Sequence, residues 1–468
     1  MGQEIEASDF SESSYTAFQQ HLNAEMELLR SWFAGNKFSD DRLQCGLELE
    51  GWLVDQSGAA APDNTLFLQT LERDCVVPEL AKFNFEVNVQ PQYLAGNGLR
   101  DMRLELGATW SRCAKVAERL GHHILSIGIL PTVTDEMLCI ENMSPLQRYA
   151  ALNKQVLKMR GGTPLLLSIE GKDRLKSTHS SLMLEAAATS IQIHLKIPQR
   201  LAVRYYNASM IASSFTCAVA ANSPLLFGKR LWDDTRITLF EQAVDTGAKL
   251  PRVSFGAGYA RESMLELFEQ NLERRVLLPA ERDEPPSVMP YVRMHNGTIW
   301  TWNRALIGFE PDGQPHLRIE HRPMSASPTV DDLFADVALY LGLTQYLANL
   351  QEAPELKLPF SEAKNNFYAA ARLSLDAKIK WIDGNRWDIV ELLRTSLLDQ
   401  AMVWLETTGA SHNEIRKAHE LLLERLEARQ NGAKWQARKF RELERDSLAL
   451  QQEYETNQAS GTPVHAWD

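Results

Sequence analysis

Residues 45–55 read CGLELEGWLVD. Leu47 and Leu49 alternate with Glu48 and Glu50, and Trp52, Leu53 and Val54 follow. This pattern predicts a strand rather than a helix. Side chains two apart on a strand share a face, with Cα atoms roughly 6.5–7 Å apart. Glu48 and Glu50 therefore point the same way. At an effective dielectric of about 20, carboxylates ~5 Å apart repel by roughly 3 kcal/mol. On a wet face that cost shrinks and the pattern marks only the solvent side. In a cleft, something positive must sit between them. The stretch alone leaves both readings open.

Polar groups recur in other strand-like apolar runs. PELAKFNFEVNVQP (78–91) carries Glu79 and Glu86, and SIQIHLKIP (190–198) carries Gln192 and His194 two apart. LRIEHRP (317–323) carries Arg318, Glu320 and Arg322, and RLWDDTR (230–236) adds Arg236. Each run alone reads equally well as a half-exposed antiparallel strand. His194 alone reads as an ordinary core or surface histidine, and Glu320 between two arginines as a surface ion network. The chemistry of the set is more specific. Glutamates with one histidine and no cysteine are hard ligands suited to Mg²⁺ or Mn²⁺. Neighbouring arginines suit polyphosphate and carboxylate groups, because a guanidinium forks onto two oxygens. A curved antiparallel sheet with acids on its concave face and arginines on its rim would hold Mg-ATP. No phosphate-loop pattern is present, and AGNGLRD (95–101) and RGGTP (160–164) are plain glycine turns.

The 468 residues are 44% hydrophobic and 24% charged, with a formal net charge of -12. This is the composition of a globular chain, and its acidity gives no support for nucleic-acid or anionic-membrane binding. The five cysteines are scattered and form no CxxC pair, which argues against a disulfide framework and a zinc site. MGQEIEASDFSESS at the start is polar and acidic, unlike a signal peptide. No apolar run approaches the ~20 residues of a membrane-spanning helix. The expected location is the cytoplasm.

Along the chain, residues 13–33 have helical periodicity with a serine cap. Residues 99–125 read as a helix and SIGILPTV (126–133) as the strand leaving it. A strand is expected over Ser190–Ile197, then a long apolar helix ending at the Pro and Gly of AANSPLLFG (220–228). Residues 297–323 predict a hairpin turning at Pro311-Asp312-Gly313-Gln314. From Val330 onward the pattern is almost all helical, and NQASGTPVHAWD (457–468) reads as a mobile tail. The expected division is a catalytic region with an N-terminal helix over 1–350 and a helical region over 351–468.

In order and wording these motifs resemble the glutamate–cysteine ligase type 2 family of carboxylate–amine ligases, relatives of glutamine synthetase. The carriers are Gly46-Leu47-Glu48-Leu49-Glu50, Glu86 in FEVNVQP with Glu79 upstream, Gln192-Ile193-His194 in place of a His-x-His strand, AANSPLLFG followed by Arg236, Glu320-His321-Arg322, and NNFYAAARLSLDA (365–377). The resemblance runs from Gly46 to Ala377. It implies an α+β, glutamine synthetase-like fold: a curved antiparallel sheet with an active-site cleft, helices on its outer face and a helical C-terminal part. It implies Mg²⁺ or Mn²⁺ on Glu48, Glu50, Glu79, Glu86, His194 and Glu320. Arg236 and Arg322 would be catalytic, with Arg318 more peripheral, while Asn366 and Arg372 would bind ATP from the first helix of the C-terminal region. The implied reaction joins a small-molecule acid, glutamate first, to an amine through an acyl phosphate. Glutamate–cysteine ligase, a step of glutathione biosynthesis, is the leading candidate. Alternatives are another acid or amine, or a catalytically silent nucleotide-binding relative. Neither nucleic acid nor membrane is an expected partner, and a homo-oligomer is left open.

Overall fold

The computed structural model describes residues 4–468. Seven strands form its main sheet: β1 (Gln44–Asp55), β2 (Val76–Pro78), β3 (Asn84–Tyr93), β4 (His122–Leu125), β5 (Ile191–Ile197), β6 (Asn303–Phe309) and β7 (Pro315–His321). The order is β6-β7-β5-β1-β3-β2, every pair is antiparallel, and the sheet curls into a half-barrel. On one edge of β1, β5 pairs with the first half and β4 with the second. The expected α+β class with a curved antiparallel sheet is the observed one.

The alternation of β1 decides which side is which. Leu47 and Leu49 are 2% exposed, in the apolar layer beneath the sheet. Glu48 and Glu50 take the opposite, concave face. Their register continues the polar row across neighbouring strands. Glu50 pairs with Glu86, Glu48 with Asn88 and Gln192, His194 with Glu320, and Glu320 with Arg304. Gly46 stands opposite His194, so β1 puts no side chain beside that imidazole.

Helices cover the outer face. The helix Ala202–Ala220 is buried along nearly all its length and packs on β6, β7 and the helix Val330–Ala348. It stops before Asn222-Ser223-Pro224, because proline disfavours helical backbone in the residue before it. Glu12–Ala34 follows a Ser11 cap and buries Phe18, Leu22, Met26, Leu29 and Phe33, a stripe of helical spacing.

Two expectations are corrected. Residues 126–133 are irregular, and the strand after the long helix is β4, a few residues earlier. Ile127, Ile129 and Leu130 are fully buried, but their neighbours' backbone groups find side-chain partners. Gln458 accepts from the Ser126 amide at 3.1 Å, and Tyr454 donates to the Ser126 carbonyl at 2.8 Å. The segment 457–468 is not a loose tail. Val464 and Trp467 are 1% and 4% exposed. The Trp467 ring packs edge-on against Trp435 and Tyr454, each at 5.1 Å, while Gln430 donates to the carbonyls of Val464 and Trp467. Asn222 receives this C-terminal assembly. Its amide donates to Tyr454 Oη at 2.8 Å and accepts from Gln436 at 2.7 Å, and any side chain at Gly432 would collide with it. One connected apolar core runs from Ile5 to Trp467. Beyond Val330 the helical expectation holds except for a small hairpin, Lys378–Lys380 with Arg386–Asp388.

Candidate active site

The concave face lines a cavity of about 320 Å³. Glu48, Glu50, Glu79, Glu86, His194, Glu320 and Arg322 all reach it, although they come from four separate stretches of chain. The six metal-ligand candidates divide into two trios, Glu48–His194–Glu320 and Glu50–Glu79–Glu86, each with its donor atoms within 4.8 Å of one another. Glu48 and Glu50 thus share a face but not a trio: strand spacing assigns one carboxylate to each. Glu79 comes from the turn between β2 and β3 rather than from a strand.

In the first trio, His194 Nε2 lies 3.1 Å from Glu48 Oε1 and 3.8 Å from Glu320 Oε1. Burial pushes the Glu48 carboxyl upward, but the imidazole beside it wins and holds it down at about 2. Glu320 is held well below the carboxylate range: burial opposes this, and Arg304, Arg322 and His194 outweigh burial. Arg304 forks onto both Glu320 oxygens at 2.7 Å, and Arg322 adds a bond at 3.1 Å. The second trio has the opposite character. Burial and the charge of Glu79 push Glu50 up to about 8, against Arg322 and Arg236. Burial and three neighbouring glutamates push Glu86 well above its ordinary range. Burial likewise raises Glu79.

Both trios fit a hard divalent cation. Their donors are carboxylate oxygens and one imidazole, with no sulfur. Glu86 Oε1 and His194 Nδ1 are buried without a hydrogen-bond partner, and such atoms are costly unless something completes them.

Gln192, which stands where the resemblance implies a histidine, joins the trios. Its amide donates to Glu50 Oε1 at 3.0 Å, and its carbonyl accepts from Arg322. Arg318 also lines the cavity, contrary to its expected peripheral place. Burial lowers the proton affinity of its guanidinium, while Glu48 and Glu320 oppose that shift. Its Nε is buried without a partner.

The structure does not bring the other three candidates to the cavity. Arg236 lies one layer behind, donating to the Arg322 carbonyl at 3.0 Å with its guanidinium 5.3 Å over the Trp302 ring. It holds the backbone that carries Arg322. Asn366 spends its amide on Lys380, accepting from its N–H at 2.9 Å and donating to its carbonyl at 2.7 Å. Arg372 is exposed and stacks 4.6 Å over Trp232. Their helix, Phe360–Leu373, supports the site from behind through Phe367 against Trp302 and the Tyr368 hydroxyl on Glu241.

Lining residues that escaped the sequence reading include Arg148, Tyr149, Glu185 and Arg304. Arg304 was not readable from the turn: counting outward from Pro311–Gln314 sets His321 opposite it, whereas Glu310 and Gln314 close the hairpin and the one-residue shift pairs Arg304 with Glu320. The other three lie on a helix and a six-residue helical segment whose polar positions look like solvent-facing ones. Phe240, Phe268, Leu278, Val292 and Trp300 supply an apolar wall.

The fold resembles that of glutamate–cysteine ligase from Francisella tularensis, solved in complex with AMP, at TM-score 0.54 and 10% identity over 91% of this chain and 90% of that one. It also resembles a bifunctional glutathione synthetase from Pasteurella multocida, at TM-score 0.55 and 12% identity over 95% of this chain and 55% of that one. At these identities the likeness is one of fold. A search of curated protein sequences finds no significant match. Among the described residues, no helix is long and apolar enough to cross a membrane. The sequence model of glutamate–cysteine ligase family 2 matches residues 44–455, from the first residue of β1 into the last long helix, and on that extent the chain belongs to this family.

Proposed function

We propose that the protein is an ATP-dependent carboxylate–amine ligase that forms a γ-glutamyl amide through an acyl phosphate. The observation that carries this reading is the pair of adjacent acidic trios on one cavity wall, with Arg318 and Arg322 beside them. Mg²⁺ or Mn²⁺ held by these residues would neutralise phosphate charge and polarise the transferring group. Arg322 is fixed by Glu320, Gln192 and the backbone support of Arg236, so its charge is placed before any ligand arrives. Arg318 has donor capacity to spare for an anion.

In the proposed reaction a carboxylate oxygen of the acid attacks the γ-phosphorus of ATP and ADP leaves. The amine nitrogen then forms a bond to the acyl carbon, the carbon–oxygen bond to phosphate breaks, and the nitrogen loses its proton. The apolar wall excludes water that would otherwise hydrolyse the acyl phosphate. Glutamate is the proposed acid and cysteine the first amine to test. Assignment to glutathione biosynthesis follows only if that pair reacts.

The test is ADP release from an array of acids and amines with Mg²⁺, followed by ¹⁸O labelling of the acid. The expected result is acid- and amine-dependent ADP formation with label recovered in phosphate. AMP as product, or unlabelled phosphate, overturns the acyl-phosphate route. Mg-ATP binding without cleavage for any pair points to the silent relative.

A further inference from the structure

Glu185 is an acid of this cavity that neither trio uses. It sits in the segment Leu182–Ala187, where Leu182, Met183, Leu184, Ala186 and Ala187 are all buried. The Leu182 amide donates to Asn153 Oδ1 at 2.9 Å, and the Ala188 amide to the Glu185 carbonyl at 3.0 Å. The start of the segment is therefore pinned to the helix carrying Asn153 and its end closed by its own turn, and the one polar side chain of the segment is left to the cavity. Among the described residues, no side-chain hydrogen bond or ion pair holds its carboxylate. Its electrostatic neighbours are Glu79 and Glu50, with Arg322 as the opposing charge.

Burial and the charges of Glu79 and Glu50 push the Glu185 carboxyl up to about 8, so its ionised form is unfavourable until a cation reaches it. A divalent ion is poorly matched here, because Glu185 joins no set of three converging donors. A single ammonium group matches one carboxylate and is bound by a charge-assisted hydrogen bond. Arg318, a guanidinium of the cavity whose buried Nε has no partner, faces Glu48 and Glu320 of the other trio. The cavity thus offers an anion contact beside one trio and a cation contact beside the other.

We propose that Glu185 receives the amine substrate in its ammonium form and so selects a cationic amine; the ammonium passes one proton to the Glu185 carboxylate, and the freed lone pair then attacks the acyl carbon. This rests on the ligase reading above, which needs an amine but does not say what holds it. The test compares wild type with Glu185→Gln and Glu185→Asp, using cysteine and hydroxylamine as nucleophiles at neutral pH. Cysteine brings an ammonium group, whereas hydroxylamine is uncharged there. The expected result for Glu185→Gln is a KM for cysteine raised about 10–100-fold, the usual weight of a hydrogen bond to a charged group. Hydroxamate formation and the KM values for acid and ATP stay within about threefold, and Glu185→Asp recovers part of the loss. Equal losses with both nucleophiles, or an unchanged KM for cysteine, overturn the assignment. Calorimetric titration of cysteine into Mg²⁺-loaded wild type and Glu185→Gln reads the same contact without turnover. If no pair reacts, the ligase reading falls. The Glu185 assignment is then supported by binding that weakens at least about tenfold in the variant and overturned by any other result.

Discussion

Cation binding at the Glu50–Glu79–Glu86 trio is expected to expel protons, whereas the carboxylates of the Glu48–His194–Glu320 trio have none to give. Glu50 is pushed up to about 8 and Glu86 well above its ordinary range, so at pH 7 the cation-free trio holds protons. Glu48, at about 2, and Glu320, lower than usual, are already ionised. Protons and the divalent ion compete for the same oxygens, so affinity rises with pH until the range of Glu50 near 8 is passed. Each displaced proton changes the affinity about tenfold per pH unit, roughly 1.4 kcal/mol. Between pH 6 and pH 8, one proton is worth about 100-fold and two about 10⁴-fold. The assay is calorimetric titration of Mn²⁺ in two buffers of different ionisation heat, where the difference counts released protons. One to two protons are expected at pH 7. Glu86→Gln lowers the count and weakens one site. Buffer-independent heats with the same Kd at pH 6 and pH 8 would refute the reasoning, since they would mean that the buried acids are ionised without the ion.

Arg318→Ala is expected to lower kcat/KM for the ligase reaction by about 10²–10³-fold, as for loss of a charge-stabilising donor. Arg372→Ala, which alters an exposed stack on Trp232, changes it by less than about twofold; steady-state kinetics showing the reverse ranking would discard this placement of the anion contact. Deleting residues 462–468 removes Trp467 from its packing on Trp435 and Tyr454 and is expected to cost about 3–5 kcal/mol, the range for truncating a buried aromatic residue. A denaturant midpoint unchanged by the deletion would return the segment to a mobile tail.

The strands were legible where period and chemistry agreed. Gly46–Glu50, Glu86, Gln192–His194 and Glu320 each interrupt an apolar run at a two-residue spacing. That spacing fixes a common face for each pair, whatever the rest of the chain does. The hairpin 297–323 was legible from its turn, but its register was not: Glu310 and Gln314 close it, one residue off the expected turn, and that shift pairs Arg304 with Glu320. The final segment misled because its composition is that of a tail, while its anchors, Gln430, Trp435 and Tyr454, lie in preceding helices. Arg236 and Arg372 misled in another way. A guanidinium recognises phosphate, ring and carbonyl alike, and sequence does not reveal which it faces.

The residues by themselves determined that hard ligands and arginines would line one face of an antiparallel sheet, because side-chain direction in a strand is local geometry. Tertiary structure decided how they are grouped. The trios draw Glu48, His194 and Glu320 from three strands, and Glu50, Glu79 and Glu86 from two strands and a turn. It also decided which acids are charged, through burial and the placement of Arg304, Arg322 and His194. Grouping and charge depend on distances between segments remote in sequence, and only the packed sheet sets those distances.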